Sequence, residues 1–499
     1  MFTWVFVIGT LSVIYNAITL GANDCGNSAA TAVASGALSL EQVVIVVGIF
    51  ESIGAISMGS RVSKTIRKKI VNVDVFKKTP GALMLGMMCS NLSSAIILHV
   101  ATYLKLPVST THAIIGAIMG FSLIFDGKDS VSWGFEAAGE GKLEGFFKIM
   151  ISWVISPVAS GGIALILYLI FKYLILKSEK SYERTLLIFP LLTFVTFFMN
   201  TFFIIYKGSP QLKLDEIPDW IAGLSATIVG LTAASLSWFI FVPYKKRRIE
   251  AIENNEDIES NRISKWFNSL NCLHFNKETD DIDVENIELE NLSNPDKIRK
   301  LNSTGKRIKI IMKAEGIEDL HGNAIETNWK VEALCISLQV ITACFSAFSH
   351  GANDVANAIG PYSTEYYIHE NGEVGKENDT PIWMLVMGGT GIVIGLTTYG
   401  YKIIDRIGTE ITKVTASRGF IIEFAAATTV LICSVLEIPV STTHCKIGAV
   451  IGCGLGDGVG TVKWKLVKEI ILSWLVTVPA AGFISAILFS FLIRLDNFE

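Results

Sequence analysis

The sequence predicts an all-α polytopic membrane protein: about twelve transmembrane helices in two inverted repeats, with broken or re-entrant helices at the midplane. Three observations point there. Apolar stretches of ~20 residues, long enough to cross a hydrocarbon core of ~30 Å, recur along the chain. Of the 499 residues, 51% are hydrophobic and only 18% charged, a balance foreign to water-soluble chains of this length. Two polar strings also return in the same order. Gly21-Ala-Asn-Asp-Cys-Gly-Asn-Ser-Ala29 comes back as Gly351-Ala-Asn-Asp-Val-Ala-Asn-Ala-Ile359, and Pro107-Val-Ser-Thr-Thr-His112 as Pro439-Val-Ser-Thr-Thr-His444. Ser109 lies 85 residues after Asp24, and Ser441 lies 87 after Asp354. Such matched order and spacing mean an internal duplication.

Taken in order, apolar runs at 2–22, 41–60, 82–104 and 109–126 make the first repeat, residues 1–126. The opening run lacks a basic flank and leads straight into the polar string, so it reads as a retained span and not as a cleaved signal. Runs at 145–175, 185–206 and 218–242 supply additional transmembrane helices within 127–242. Residues 243–330 open with Lys245-Lys-Arg-Arg248 and include the acidic stretch Glu278 to Glu290. Their low apolar density predicts a largely disordered loop. The second repeat and the last transmembrane helix occupy 331–495, with runs at 331–349, 382–400, 418–436, 443–460 and 466–495.

Orientation follows from basic loops, which mark the cytoplasmic side. The Lys245–Arg248 cluster puts the central loop inside. The basic loops near 173–184, 401–413 and 457–468 then agree, and both termini fall outside. Arg61 to Lys78, with seven basic residues, dissents. Span one opens the first repeat and span eight the second. An odd number of crossings separates them, so the repeats are oppositely oriented, as in secondary transporters that bind substrate near the midplane.

The repeated strings carry oxygen-bearing side chains at membrane depth, where polar groups are costly and by default functional. Asn23, Asp24 and Asn27, with Asn353, Asp354 and Asn357, suit a hard cation such as sodium, helped by backbone carbonyls freed where Gly21 and Gly351 loosen their helices. The bland alternative is interhelical packing and hydrogen bonding, which explains two intramembrane aspartates poorly. Ser109, Thr110 and Thr111, with Ser441, Thr442 and Thr443, stand where a Pro-led turn enters an apolar helix. A hydroxyl there is a natural N-cap, and the helix terminus behind it favours an anion. Plain capping is the alternative; two matched copies favour a substrate oxyanion held by neutral donors. Glu51 and Glu423 are lone acids in apolar runs, each either a cation ligand or a protonated structural group. In the alignment of the repeats, Glu51 matches Ile392 and Glu423 matches Asn91, so neither has an acidic twin. Arg418 is expected to snorkel to the interface. His112, His444 and His350 serve either ligand or structure. The cysteines show no metal spacing and no disulfide framework. No nucleotide-binding loop and no nucleic-acid module is present, and no resident cofactor is expected.

The two strings, each present twice, resemble those of the inorganic phosphate transporter (PiT) family across residues 1–126 and 331–495. The resemblance implies twelve spans, outside termini, a cytoplasmic central loop and uptake of inorganic phosphate across the plasma membrane with a cation, sodium in many relatives and protons in some. Family roles carry onto Asp24, Glu51, Ser109, Asp354, Glu423 and Ser441. The resemblance also supports an outside position for the basic 61–78 loop. Cys25-Gly26 departs from the Val-Ala or Val-Ser common in relatives. Partners are then phosphate, sodium or protons and the lipid bilayer, and a homodimer is compatible with such a chain. Competing readings are a sulfate symporter, a membrane enzyme using His112 or His444 with Ser109 or Ser441, and a non-transporting receptor or scaffold.

Overall fold

A computed structural model describes residues 2–134, 145–206, 216–254, 325, 327–375, 380–404, 411–436 and 438–495; side chains of residues 27, 61, 64–69 and 252 are outside it. The expected disorder of the central loop concerns residues lying almost entirely outside the described ones. Fourteen helices organise the described residues. α1 (Thr3–Leu20) passes through a π turn (Gly21–Cys25) into α2 (Gly26–Ala34). Then come α3 (Leu40–Lys69), α4 (Pro80–Tyr103), α5 (Thr110–Asp126), α6 (Gly145–Phe171), α7 (Ser181–Ile205), α8 (Asp219–Leu236) and α9 (Val242–Glu253). After the central segment follow α10 (Trp329–Asn371), α11 (Ile382–Tyr399), α12 (Ala416–Val435), α13 (Thr442–Leu455) and α14 (Trp464–Leu492). Eleven helices among the described residues are long and apolar enough to cross a membrane. The expected span at 443–460 is not one of them. Its helix α13 has 14 residues, only ~21 Å at ~1.5 Å per residue.

The first polar string bends its helix only as far as the π turn, and the second lies inside the 43-residue α10. The chain is instead interrupted at the turns before Ser109 and Ser441. Gly21 and Gly351 serve close approach: a Cβ at Gly21 would overlap the Ile392 backbone, and one at Gly351 the Glu51 backbone. These are the positions that match between the repeats. Each repeat's second helix thus packs on the other repeat's first.

Helices α4 and α5 form a hairpin. Gly81, at the start of α4, lies against Phe2, and Phe76 before α4 stacks on Phe125 at the end of α5, with ring centroids 4.2 Å apart. Both ends therefore stand beside the start of α1. The tip reaches Asn23, well along the same helix. Helices α12 and α13 form the second hairpin, its two ends tied by the Arg418–Asp457 pair at 2.6 Å. Arg418 does not snorkel; it is 1% exposed and turned inward to that carboxylate. This hairpin is based beside the start of α10, where Ser417 N–H donates to Glu332 at 2.9 Å.

α1 and α10 run antiparallel. Phe6 stacks on His369 at one end, Thr10 meets Tyr362 at 2.9 Å, and Ser35 reaches Gln339 at 2.6 Å at the other. The hairpins therefore enter from opposite ends. Behind them, α14 packs on α5 through Gly116 and Gly120, and α6 packs on α13 through the matching Gly448 and Gly452. Large apolar side chains such as Val154, Leu187, Ile228 and Leu475 are exposed, the outer belt of a multi-pass membrane protein.

Candidate functional site

The two hairpin tips meet. Ser109 caps α5 by accepting from His112 N–H at 3.2 Å, and Ser441 caps α13 from His444 N–H at the same distance. Each serine keeps its own O–H free to donate elsewhere. Thr111 donates to the Val440 carbonyl at 3.1 Å, and Thr443 Oγ1 lies 3.3 Å from the Val108 carbonyl, so each tip touches the other. Asn23 clamps the first tip, donating to Thr102 and to the Leu106 carbonyl and accepting from Val108 N–H. Asn353 donates to the Val440 carbonyl at 2.9 Å, while its Oδ1 is buried without a partner.

Beneath the tips lie the carboxylates. Asp24 accepts from Thr110 at 2.9 Å, from Thr443 at 2.5 Å and from Thr442 at 3.4 Å. Asp354 accepts from Thr442 at 2.5 Å, Asn353 at 2.8 Å and Asn357 at 3.1 Å. Asn357 also donates to Thr110 and Thr111. The four threonines expected on the anion side therefore share one network with Asp24, Asp354, Asn353 and Asn357 from the cation side. The side chain of Asn27 is outside the described ones.

His350 is the centre that sequence reasoning undervalued. Its Nδ1 meets Glu51 at 2.5 Å, and its Nε2 lies 2.9 Å from Asp354 and 3.8 Å from Asp24. All four groups are at most 2% exposed. With His350 protonated, ionised Asp24, Glu51 and Asp354 would still leave two negative charges, which makes the cluster a natural cation host. Asp24, His350 and Asp354 offer ligand atoms within 4.8 Å of one another, as do Cys25, Glu51 and His350. Beside His350 is a cavity of about 20 Å³, walled in part by Ser28, Ser346, Thr442 and Lys446. That is room for one water-sized body and not for a tetrahedral anion.

Glu423 is not brought into this cluster. It accepts from Thr31 at 2.6 Å and Thr342 at 3.0 Å, and lies 3.9 Å from Lys446 Nζ. Lys446, which sequence reasoning missed, also donates to Thr31 and to the Ser28 carbonyl. Its signal was a lone lysine two residues beyond His444 in an apolar helix.

The histidines of the tips serve structure. His112 packs on Trp153 at 3.9 Å between ring centroids, and His444 on Trp474 at 3.7 Å. Their Nδ1 atoms face the carbonyls of Trp474 and Trp153, 3.5 and 3.1 Å away. Neither ring makes a hydrogen bond to Ser109 or Ser441, so the nucleophile–base pair of an enzyme is not assembled.

Known proteins resemble this chain along nearly its whole length. The sequence profile of the phosphate transporter family matches residues 20–485. A phosphate-repressible phosphate permease of Neurospora crassa is 30% identical, over 99% of this chain and 98% of its own. Sodium-dependent phosphate transporter 1 of Homo sapiens is 29% identical, over 97% and 95%. Among solved structures, a sodium-dependent phosphate transporter superposes with a TM-score of 0.74 at 28% identity, covering 99% of this chain and 100% of that one. The chain is therefore a multi-pass membrane transporter and not an enzyme, and it belongs to the phosphate transporter family.

Proposed function

We propose that this protein imports inorganic phosphate across the plasma membrane together with sodium, by alternating access around the two hairpin tips. The observation that carries the reading is the crossing of two opposed helix N-termini over the Asp24–His350–Asp354 cluster. Helix N-termini and the Ser109 and Ser441 hydroxyls suit an oxyanion. The carboxylates beneath repel that anion unless cations sit between, which is what symport requires. Asp24, Asp354, Glu51 and the orphaned Asn353 oxygen are the proposed sodium ligands. Thr110, Thr111, Thr442 and Thr443 would turn from the aspartates to phosphate as cations enter. Asn23 is proposed as a clamp of the first tip, and Glu423 as a group acting through Lys446. The relatives' names, sodium-dependent phosphate transporter and phosphate permease, support the same substrates. The units related by inversion are proposed as 1–171 and 329–492, because α6 and α14 occupy matching places.

Three acidic groups under the tips favour the singly charged phosphate. At saturating sodium and subsaturating total phosphate, radiolabelled uptake in cells should fall as pH rises through neutrality, and replacing sodium by choline should abolish it. Uptake indifferent to that swap would mean proton coupling, and potent competition by sulfate would mean a different oxyanion. The proposed orientation places the central loop in the cytoplasm and the termini outside. In a cysteine-free background, an impermeant thiol reagent should reach Glu373→Cys and spare Ser293→Cys; the reverse pattern would invert the topology.

A further inference from the structure

In the second half, the carboxylate beside the hairpin comes with its own fixed cation: Glu423 faces Lys446 at 3.9 Å. The matching residues of the first half are Asn91 and Ile114, which carry no charge. A carboxyl group reaches this flank from another helix, as Glu365 of α10. It is fully buried and packs so closely on Gly9 that a Cβ there would overlap its Oε2. Its polar contact is with the side chain of Asn91 of α4, too long or too bent to make a full hydrogen bond to either oxygen. Asn16 of α1 donates to Asn91 Oδ1 at 2.9 Å, which leaves Asn16 Oδ1 and Asn91 Nδ2 buried without partners. The titratable groups facing Glu365 are Cys89 of α4 and Tyr362 of its own helix, whose hydroxyl meets Thr10 of α1. His369, a turn further on, is occupied by Phe6 and Glu370. No lysine, arginine or histidine among the described residues pairs with Glu365.

We propose that Glu365 is a proton-binding site, separate from the central cluster, that loads and unloads during the transport cycle. A proton removes the charge that nothing pairs, and neutral Glu365 still offers an oxygen to its neighbour Asn91. An ionised Glu365 would leave a buried charge without a partner. A proton also needs no coordination shell, which suits the close packing on Gly9. The site joins three helices: Asn91 rides on the first hairpin, Gly9 on α1 and Glu365 on α10. Movement that parts the hairpin from α1 and α10 would admit water to Glu365 and release its proton.

The cycle part of this inference rests on the phosphate-transport reading; one arm of the test does not. Infrared spectra of the purified protein at neutral pH should show a buried carboxylic-acid C=O band that Glu365→Gln lacks. Identical carboxylic-acid bands in both overturn the site, whatever the protein transports. In proteoliposomes at saturating sodium, with the phosphate monoanion held constant, wild-type uptake should vary severalfold with pH. Glu365→Gln should flatten that profile and Glu365→Asp should restore it. A Gln variant with the wild-type pH profile overturns proton exchange. So does one whose only change is its sodium dependence, which would make Glu365 a sodium ligand. Should the Gln variant fail to fold, Asn91→Leu, which removes the polar neighbour, should shift the pH profile; an unshifted profile overturns the proposal.

Discussion

The two hairpins meet through matched positions at their tips and stand on different electrostatic footings. At the tips, Thr111 to Val440 mirrors Thr443 to Val108, and the two serine caps have the same length. Beside the tips the copies diverge: the second hairpin carries Lys446 against Glu423, and the first carries Ile114 and Asn91. The tips must fit each other as much as the ligand, so a change in one has to be answered in the other. The flanks face only their own neighbours and are free to differ. Near-symmetry at the centre is thus a packing requirement, and the asymmetry beside it is where charge can be specialised.

The largest expected effect tests the symmetry at the centre. Asp24→Asn and Asp354→Asn keep the side-chain shape, replace one acceptor oxygen by an amide NH2 and remove one charge each. Both should abolish sodium-driven phosphate uptake while the protein still reaches the membrane. Substantial uptake by one variant alone would show that the two aspartates have unequal roles.

Next comes the flank. Lys446→Met strands Glu423 in the interior, and breaking a buried pair in this way costs ~3–5 kcal/mol. The thermal midpoint of the solubilised protein should drop sharply, and the Glu423→Gln/Lys446→Met double variant should recover much of the loss. Glu365→Gln, with no fixed cation to strand, should leave the midpoint near wild type. Equal destabilisation in the two flanks would remove the contrast drawn between them.

The smallest effect is at the caps. Ser109→Ala and Ser441→Ala each remove one donor to a charged ligand, worth ~1.5–3 kcal/mol, so apparent phosphate affinity should fall by about one to two orders of magnitude. Lower thermal stability with an unchanged phosphate concentration dependence would make both serines caps and nothing more.

Much of the architecture was legible in the sequence because it rests on length and repetition. The apolar runs place the helices, and the Ser-Thr-Thr strings mark the starts of α5 and α13. Re-entrant helices were expected, but which windows form them was not legible: an apolar window looks the same whether it crosses or turns back, and the difference lies in the company it keeps. The best windows of α4 and α12 are 83% and 78% buried, against 28% for α6 and 22% for α14. The apolar run of α10 ends at 349 because its polar string lowers hydropathy midway, and residues past Pro361 carry no span signal. Glu365 was lost with them. His350 and Lys446 were legible only as single polar residues in apolar surroundings. Their importance comes from Glu51, Asp354 and Glu423, which lie on other helices or, for Asp354, one turn along the same one.

The exchange of partners between the halves bears on how the chain is made. Non-helical backbone is tolerated at membrane depth only inside protein, and the first tip is enclosed by Thr443 of the second hairpin, with α14 packed behind it on α5. Synthesis proceeds from the N-terminus, so the first hairpin leaves the ribosome long before its cover exists. It must wait, unfinished, until the last described helix is inserted. A nascent chain halted after α9 should therefore leave the first hairpin open to protease and thiol reagents, and expressing residues 325–499 alongside it should close it.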